Sequence, residues 1–165
     1  MGDLSTEPKR LRLEISLAGM EPARDPAFRH PGSHEVVALG ALMLDAYRGT
    51  PDEEDAGGTP DEATAEIRRV FDGTYGPPLL DASFVADDEG RPVGAALVTL
   101  WKEMPLLAFV FTAPASTGKG LGRRLIQATM HALAGQGYER LSLAVTEHNT
   151  RARRLYETLG FRPPA

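Results

Sequence analysis

Residues 106–161 read LLAFVFTAPASTGKGLGRRLIQATMHALAGQGYERLSLAVTEHNTRARRLYETLGF, and this stretch decides the fold. Leu106 to Thr112 is an apolar run of strand length. A glycine-rich turn follows, and from Thr117 to Gly137 the residues Leu121, Leu125, Ile126, Thr129, Met130 and Leu133 recur at helical spacing. Gly135 and Gly137 offer stops for that helix. Arg140 to Val145 reads as another strand, and Asn149 to Leu159 as a helix with Ala152, Leu155 and Leu159 inward and Gly160 at its end. A strand, a helix long enough for a crossover and a second strand predict a parallel pair.

Upstream, the pattern changes to a meander. Leu80 to Ala86 is expected as a strand, Asp87 to Gly90 as a hairpin turn, Pro92 to Trp101 as a strand and Lys102 to Pro105 as a second turn. These strands are almost continuously apolar, so both faces of their sheet should be covered. Nearer the N-terminus, Leu11, Leu13, Ile15 and Leu17 alternate with polar or small residues, as in a half-buried strand. Gly19 to Ser33 carries three prolines and reads as a connection. Glu35 to Arg48 shows the apolar stripe Val36, Leu39 and Met43 of a helix, with Ser33 as its expected N-cap. Gly49 to Pro60 is an acidic loop with Asp52, Glu53, Glu54 and Asp55. Thr59 or Asp61 is expected to cap a second helix, through Ile67, Val70 and Phe71, with Pro60 early in it. The order predicts one α/β (α+β) domain over residues 11–165, after a loose tail at 1–10. Its central sheet is mixed and mostly antiparallel, with helices on both faces.

The chain's 165 residues suit one domain with a real core. Without cysteine it can form no disulfide framework, zinc-finger site or thiol nucleophile. Twenty-three acidic against 18 basic residues, a net charge of −5, argue against a nucleic-acid surface. Residues 1–14 lack the apolar core of a signal peptide, and no run is long enough for a membrane span, so a cytoplasmic protein is expected. The histidines at 30, 34, 131 and 148 are scattered and point to no metal site.

The turn Ser116-Thr117-Gly118-Lys119-Gly120-Leu121-Gly122-Arg123 carries the sharpest chemical signal. Glycines let a ligand approach the backbone, and the first helical turn has N–H groups without intrahelical partners. A pyrophosphate would be held there by those donors and by the positive end of the helix. A Walker A loop is excluded, because Lys119 is followed by Gly120 rather than Ser or Thr. A dinucleotide fingerprint would place its third glycine one position later. The remaining reading from these residues alone is a tight turn without a ligand.

Thr117 to Gly122 resembles the acyl-CoA binding signature of the GNAT superfamily of N-acetyltransferases, with Pro114 shortly before it. Val145-Thr146-Glu147-His148-Asn149 looks like that family's strand end and Asn-led helix start. Tyr156-Glu157-Thr158-Leu159-Gly160-Phe161 matches its Tyr-x-x-x-Gly-Phe ending. The resemblance runs over about Leu80 to Phe161 and, through element order, extends to Leu11. It departs at Thr117, where Gln or Arg is usual, and in stopping four residues after Phe161, where further strands are usual.

The resemblance implies an enzyme that moves an acetyl group from acetyl-CoA to a primary amine, by direct attack and without a metal. Backbone groups of Val110, Phe111 and Thr112 would bind the pantetheine arm, with an N–H near Phe111 or Thr112 facing the thioester oxygen. Thr117, Gly118, Lys119, Gly120, Leu121, Gly122 and Arg123 would hold the pyrophosphate. Asn149 would hold the cofactor arm or cap its own helix, and Tyr156 would protonate the departing thiolate. For a general base the candidates are Glu103, Glu147 and His148. A CoA-binding module without transfer is the alternative. Because Pro163 and Pro164 suit no ladder, the strand 140–145 is expected to present an open edge, covered by a second subunit or by the tail 1–10.

Overall fold

A computed structural model describes residues 9–165. Its centre is a six-stranded sheet whose first two strands lie at opposite edges. β1 (Arg10–Ser16) is at one edge and β2 (Phe28–Arg29) at the other. Between them, starting from the β1 side, run β6 (Arg140–Thr146), β5 (Met104–Thr112), β4 (Arg91–Trp101) and β3 (Phe84–Asp88). β5 and β6 are parallel, as the crossover predicts, and every other neighbouring pair is antiparallel.

Four helices cover both faces. α1 (Val36–Tyr47) and α2 (Pro60–Phe71) pack on one face, over Val85, Ala95, Leu97 and Phe111. They meet closely at Gly40, where a Cβ would come within 2.8 Å of the Thr64 backbone nitrogen. α3 (Leu121–Gly135) and α4 (Thr150–Leu159) contribute to the core on the other face, which includes Phe84, Ala96, Val98, Leu141, Leu143 and Phe161. Phe84 and Phe161 are among the largest fully buried side chains, and burying a side chain of this kind is worth about 2 kcal/mol.

The connection from β1 to β2 crosses the sheet along α3. The Leu17 N–H donates to the Glu139 carbonyl at 2.8 Å, and the His131 Nδ1–H donates to the Glu21 carbonyl at 2.7 Å. Arg124 then pairs with Asp25 at 2.9 Å and lies over the Phe28 ring. β2 within this connection is an element the proline-rich sequence conceals.

Several boundaries differ from expectation. Ser33 does not cap α1: it opens a short 3-10 turn, Ser33–Glu35, that leads into the helix. In that turn the Glu35 carboxylate accepts from the Gly32 N–H and from Arg29, which holds Glu35 below the usual carboxylate range. Leu80–Ala82 is a 3-10 turn rather than strand. There the Ser83 hydroxyl donates to the Leu79 carbonyl and accepts from the Val98 N–H, taking the place of a backbone group and bending the chain before β3. β3 also continues to Asp88, so the hairpin turns on Glu89 and Gly90, both at positive φ. Thr59 caps α2 as expected, accepting from the Glu62 N–H at 3.2 Å with Pro60 in the first turn.

The edge of β6 is occupied, from Arg10 opposite Thr146 to Ser16 opposite Arg140. The chain's own β1 thus covers the edge on which a second subunit was expected. Residues 1–8 of the expected tail lie outside the described residues, whereas Arg10 opens β1 and the Lys9 carbonyl accepts from the Glu147 N–H. Beyond β1, Arg162 exchanges two backbone hydrogen bonds with Glu14, and Pro163 ends the pairing.

Candidate active site

The site begins with a defect in the sheet. Leu97 pairs with Phe109 and Val98 with Leu107, so Ala108 is an extra residue on β5. Such a bulge bends its strand. β5 and β6 are in register at Leu106 and Ser142, where the Ser142 hydroxyl donates to the Pro105 carbonyl at 3.0 Å. Beyond that point the strands part. Ala113 bonds back to Val93 on the β4 side, so strand alternation turns the Phe111 backbone into the β4 ladder and the backbone groups of Val110 and Thr112 toward the gap. The Val110 carbonyl accordingly accepts from the Tyr47 hydroxyl at 3.2 Å.

Two cavities open along this gap. The first, about 400 Å³, is bounded by the end of β5, the glycine turn, the start of α3 and one side of α4. Pro114–Ser116 forms a 3-10 turn, and Gly118 and Gly120 then take φ of 82° and 79°, which a residue with a Cβ adopts only with strain. α3 starts at Leu121, where the helical spacing of apolar residues begins, so residues 117–120 belong to the turn. Among the described residues, the backbone N–H groups of residues 118–123 have no protein acceptor. They form a row of free donors at the positive end of a 15-residue helix.

The second cavity, about 430 Å³, lies along residues 106–110 of β5 and 143–145 of β6, under the acidic loop. Arg10 from β1, Tyr47 from α1, Asp52, Glu54 and Asp55 from the loop, Glu66 from α2, Tyr75 and Tyr156 line it. Four carboxylates therefore face one guanidinium, and that guanidinium is paired with Asp55 at 2.8 Å. Glu66 accepts from the Tyr75 hydroxyl at 2.5 Å and from Arg69.

Tyr47, Asp52, Val110 and Tyr156 line both cavities. Tyr156 is 9% exposed, its ring packs edge-on against Phe161, and its hydroxyl has no hydrogen-bond partner among the described residues. Burial, with the charge of Asp52, holds its phenol well above the usual tyrosine range. Burial does the same for Tyr47. Both phenols are thus protonated at neutral pH. Asp52 accepts from the Thr146 hydroxyl at 2.8 Å and from the Asn149 side-chain amide at 2.5 Å. Asn149 at the same time caps α4, its Oδ1 accepting from the Ala152 N–H.

Most of the expected cofactor residues come together. Val110, Phe111, Thr112, Thr117, Gly118, Gly120, Leu121, Gly122, Arg123, Asn149 and Tyr156 all line the first cavity. Thr117 turns its hydroxyl back to the Ala113 carbonyl, and Lys119 is exposed outside the lining. Of the base candidates, Glu103 sits at the tip of the β4–β5 hairpin with φ of 68°, and Glu147 and His148 are exposed; none lines either cavity. Tyr47, Arg10, Glu66 and Tyr75 were not singled out from sequence. Tyr47 continues the four-residue spacing of Leu39 and Met43, a signal that could have found it; Arg10 has none.

The sequence profile of the acetyltransferase (GNAT) family matches residues 43–161. A mycothiol acetyltransferase of Beutenbergia cavernae is 32% identical over 165 residues, across 86% of this chain and 54% of that protein. One from Gordonia bronchialis is 30% identical, across 79% and 47%. The chain thus spans about half the length of the curated relatives it matches. Among solved structures, a GCN5-related N-acetyltransferase from Sphaerobacter thermophilus superimposes with a TM-score of 0.68 at 18% identity, over 94% of this chain and 49% of that one. The PaiA N-acetyltransferase of Thermoplasma acidophilum, solved with coenzyme A, gives 0.63 at 17% identity, over 82% and 88%. With its parallel pair parting around a strand bulge and its glycine turn leading into α3, the chain belongs to the acetyltransferase (GNAT) family.

Proposed function

We propose that the chain transfers an acetyl group from acetyl-CoA to a primary amine, by direct attack with both substrates bound. The observation that carries this is the meeting of two unlike cavities at Tyr156, one rich in free backbone donors and the other in carboxylates. The free N–H groups of residues 118–123 suit a pyrophosphate, and Arg123 adds a positive charge beside them. The backbone of Val110 and Thr112 suits the amide-rich pantetheine arm, which would take the place of a neighbouring strand. Of the N–H groups near Phe111, that of Phe111 itself is turned into the β4 ladder, whereas those of Val110 and Thr112 face the gap and are suited to a thioester oxygen as it gains negative charge. Tyr156, protonated and unpaired, is suited to give its proton to the sulfur as the C–S bond breaks.

The acceptor side selects for charge. Asp52, Glu54, Asp55 and Glu66 against Arg10 and the Arg69 paired with Glu66 leave a surplus of negative charge that attracts an ammonium group and disfavours an anion. Three acids of the loop read in the sequence, Asp52, Glu54 and Asp55, thereby become part of a cavity wall. Mycothiol acetyltransferases, the curated relatives, are acetyl transfer enzymes by name, in keeping with this reading.

The test combines calorimetric titration with acetyl-CoA and an assay of free thiol release across a panel of primary amines. The expected result is saturable acetyl-CoA binding, thiol release with cationic amines and the acetylated amine by mass spectrometry. Binding without thiol release for any amine would leave a CoA-binding module and overturn the transfer reading.

A further inference from the structure

A thioester carbonyl entering from one cavity and an amine from the other must meet where the two share walls. Those walls are Tyr47, Asp52, Val110 and Tyr156. Tyr47 is engaged with the Val110 carbonyl, and Val110 offers backbone. Tyr156 is held in its protonated form. Asp52 is the remaining group, and a carboxyl side chain can both bind a cation and accept a proton.

The surroundings of Asp52 leave it short of a counter-charge. Its two hydrogen bonds, from Thr146 and Asn149, come from neutral donors. Among the described residues it has no ion-pair partner; Arg10, the cation of this cavity, is engaged with Asp55. A carboxylate has about four acceptor positions, and these bonds use two. The charge of Asp52 reaches Arg10, but that guanidinium is shared with Asp55; a half-buried charge without a direct ion-pair partner is costly to hold, and an ammonium group arriving from the acceptor cavity would supply one. An independent observation marks the same spot. The Tyr156 hydroxyl, on a residue about nine-tenths buried, lines both cavities without a hydrogen-bond partner among the described residues, so a ligand atom belongs there.

We propose that Asp52 binds the acceptor ammonium and takes its proton, an assignment that rests on the transfer reading above. The carboxylate removes one proton from R–NH3+, freeing the nitrogen lone pair. The nitrogen bonds to the thioester carbonyl carbon, and the C–S bond breaks with its electron pair on sulfur. Sulfur takes the phenolic proton of Tyr156, the excess proton on the new amide nitrogen restores the phenol, and Asp52 gives its proton to water. The sum is ammonium plus thioester giving amide, thiol and one proton.

The charged and titratable groups that line the two cavities with Asp52 are Arg10 from β1, Tyr47 from α1, Glu66 from α2, Tyr75, Arg123 from α3, Arg151 and Tyr156 from α4, and Glu54 and Asp55 of its own loop. Several carboxylates could shape the acidic side of a pH profile, so variants must assign it. With an amine that the wild type acetylates, Asp52→Ala should lower kcat/KM by about 10²-fold or more and flatten the acidic limb. Added sodium formate should restore part of the rate, while sodium chloride at equal ionic strength should not. Thr146→Val, which keeps the carboxylate but removes one donor, should move the acidic limb to higher pH. Undiminished kcat/KM in Asp52→Ala, or a loss that is equal at every pH and not restored by formate, overturns the assignment while transfer by the wild type leaves the broader reading standing. Acetyl-CoA binding with no amine acetylated by the wild type overturns both.

Discussion

The two cavities that meet at Tyr156 are built by different means. The first draws mainly on two nearby stretches of chain, residues 110–123 and 149–156, and offers chiefly backbone: a bent strand, a glycine turn and a helix start. The second gathers side chains from residues as far apart as Arg10 and Tyr156. A site made of backbone groups depends on conformation, and glycines write that conformation into the sequence. A site made of side chains depends on which surfaces the fold brings together. One fold can thus keep its donor while changing its acceptor, because replacing a carboxylate in the second cavity leaves the first turn of α3 untouched.

Tyr156 belongs to both halves, and its replacement should have the largest effect. Tyr156→Phe should lower kcat by roughly 10²-fold or more while leaving acetyl-CoA affinity nearly unchanged. The hydroxyl has no hydrogen-bond partner among the described residues, so little fold stability is lost with it. Steady-state kinetics beside calorimetry decide the matter; an unchanged kcat would reduce the ring to packing against Phe161.

Gly120→Val probes the donor half alone. A valine at φ of 79° is strained wherever its side chain points, although a Cβ there meets nothing within 4 Å. Relief of that strain should disturb the row of donors and weaken acetyl-CoA binding about tenfold, with the amine KM changed much less. A folded variant with wild-type affinity would show that the turn's conformation is not what binds.

The smallest effect is expected in the acceptor half, from Arg10→Ala. Removing this cation frees Asp55 and makes the cavity more negative. The KM for a cationic amine should therefore fall by a few-fold, with acetyl-CoA affinity unaltered. A rise in KM would instead mean that Arg10 contacts the acceptor itself, and the contrast between a backbone half and an electrostatic half would need redrawing.

What could be read in advance follows the same division. The α3 start, the Asn149 cap, the Gly160 stop and the position of Tyr156 are consequences of neighbours in sequence, and all were legible. The parallel pairing of β5 with β6 followed from the length between them. The bulge at Ala108 was not legible, because Leu107, Ala108 and Phe109 differ in no way that marks an extra residue. Ser83 was counted into a strand because its hydroxyl's substitution for a ladder group depends on Val98, fifteen residues away. Asp52 was visible only as one acid in a run; Thr146 and Asn149, which single it out, lie more than 90 residues further on. Arg10 becomes part of the site only through the pairing of β1 with β6.

That pairing has a consequence for synthesis. Arg10 to Ser16 leave the ribosome about 130 residues before their partners Thr146 to Arg140. At ordinary elongation rates the wait is roughly 6 to 25 seconds. During it Leu13 and Leu17 have no sheet to join, and contacts of such long sequence separation are the slow ones to form. β1 is therefore expected to dock last, and Arg10 reaches the acceptor cavity only when it does. A nascent chain that has already shaped its glycine turn would still lack a finished acceptor wall, so competence to bind the donor should precede competence to bind the amine.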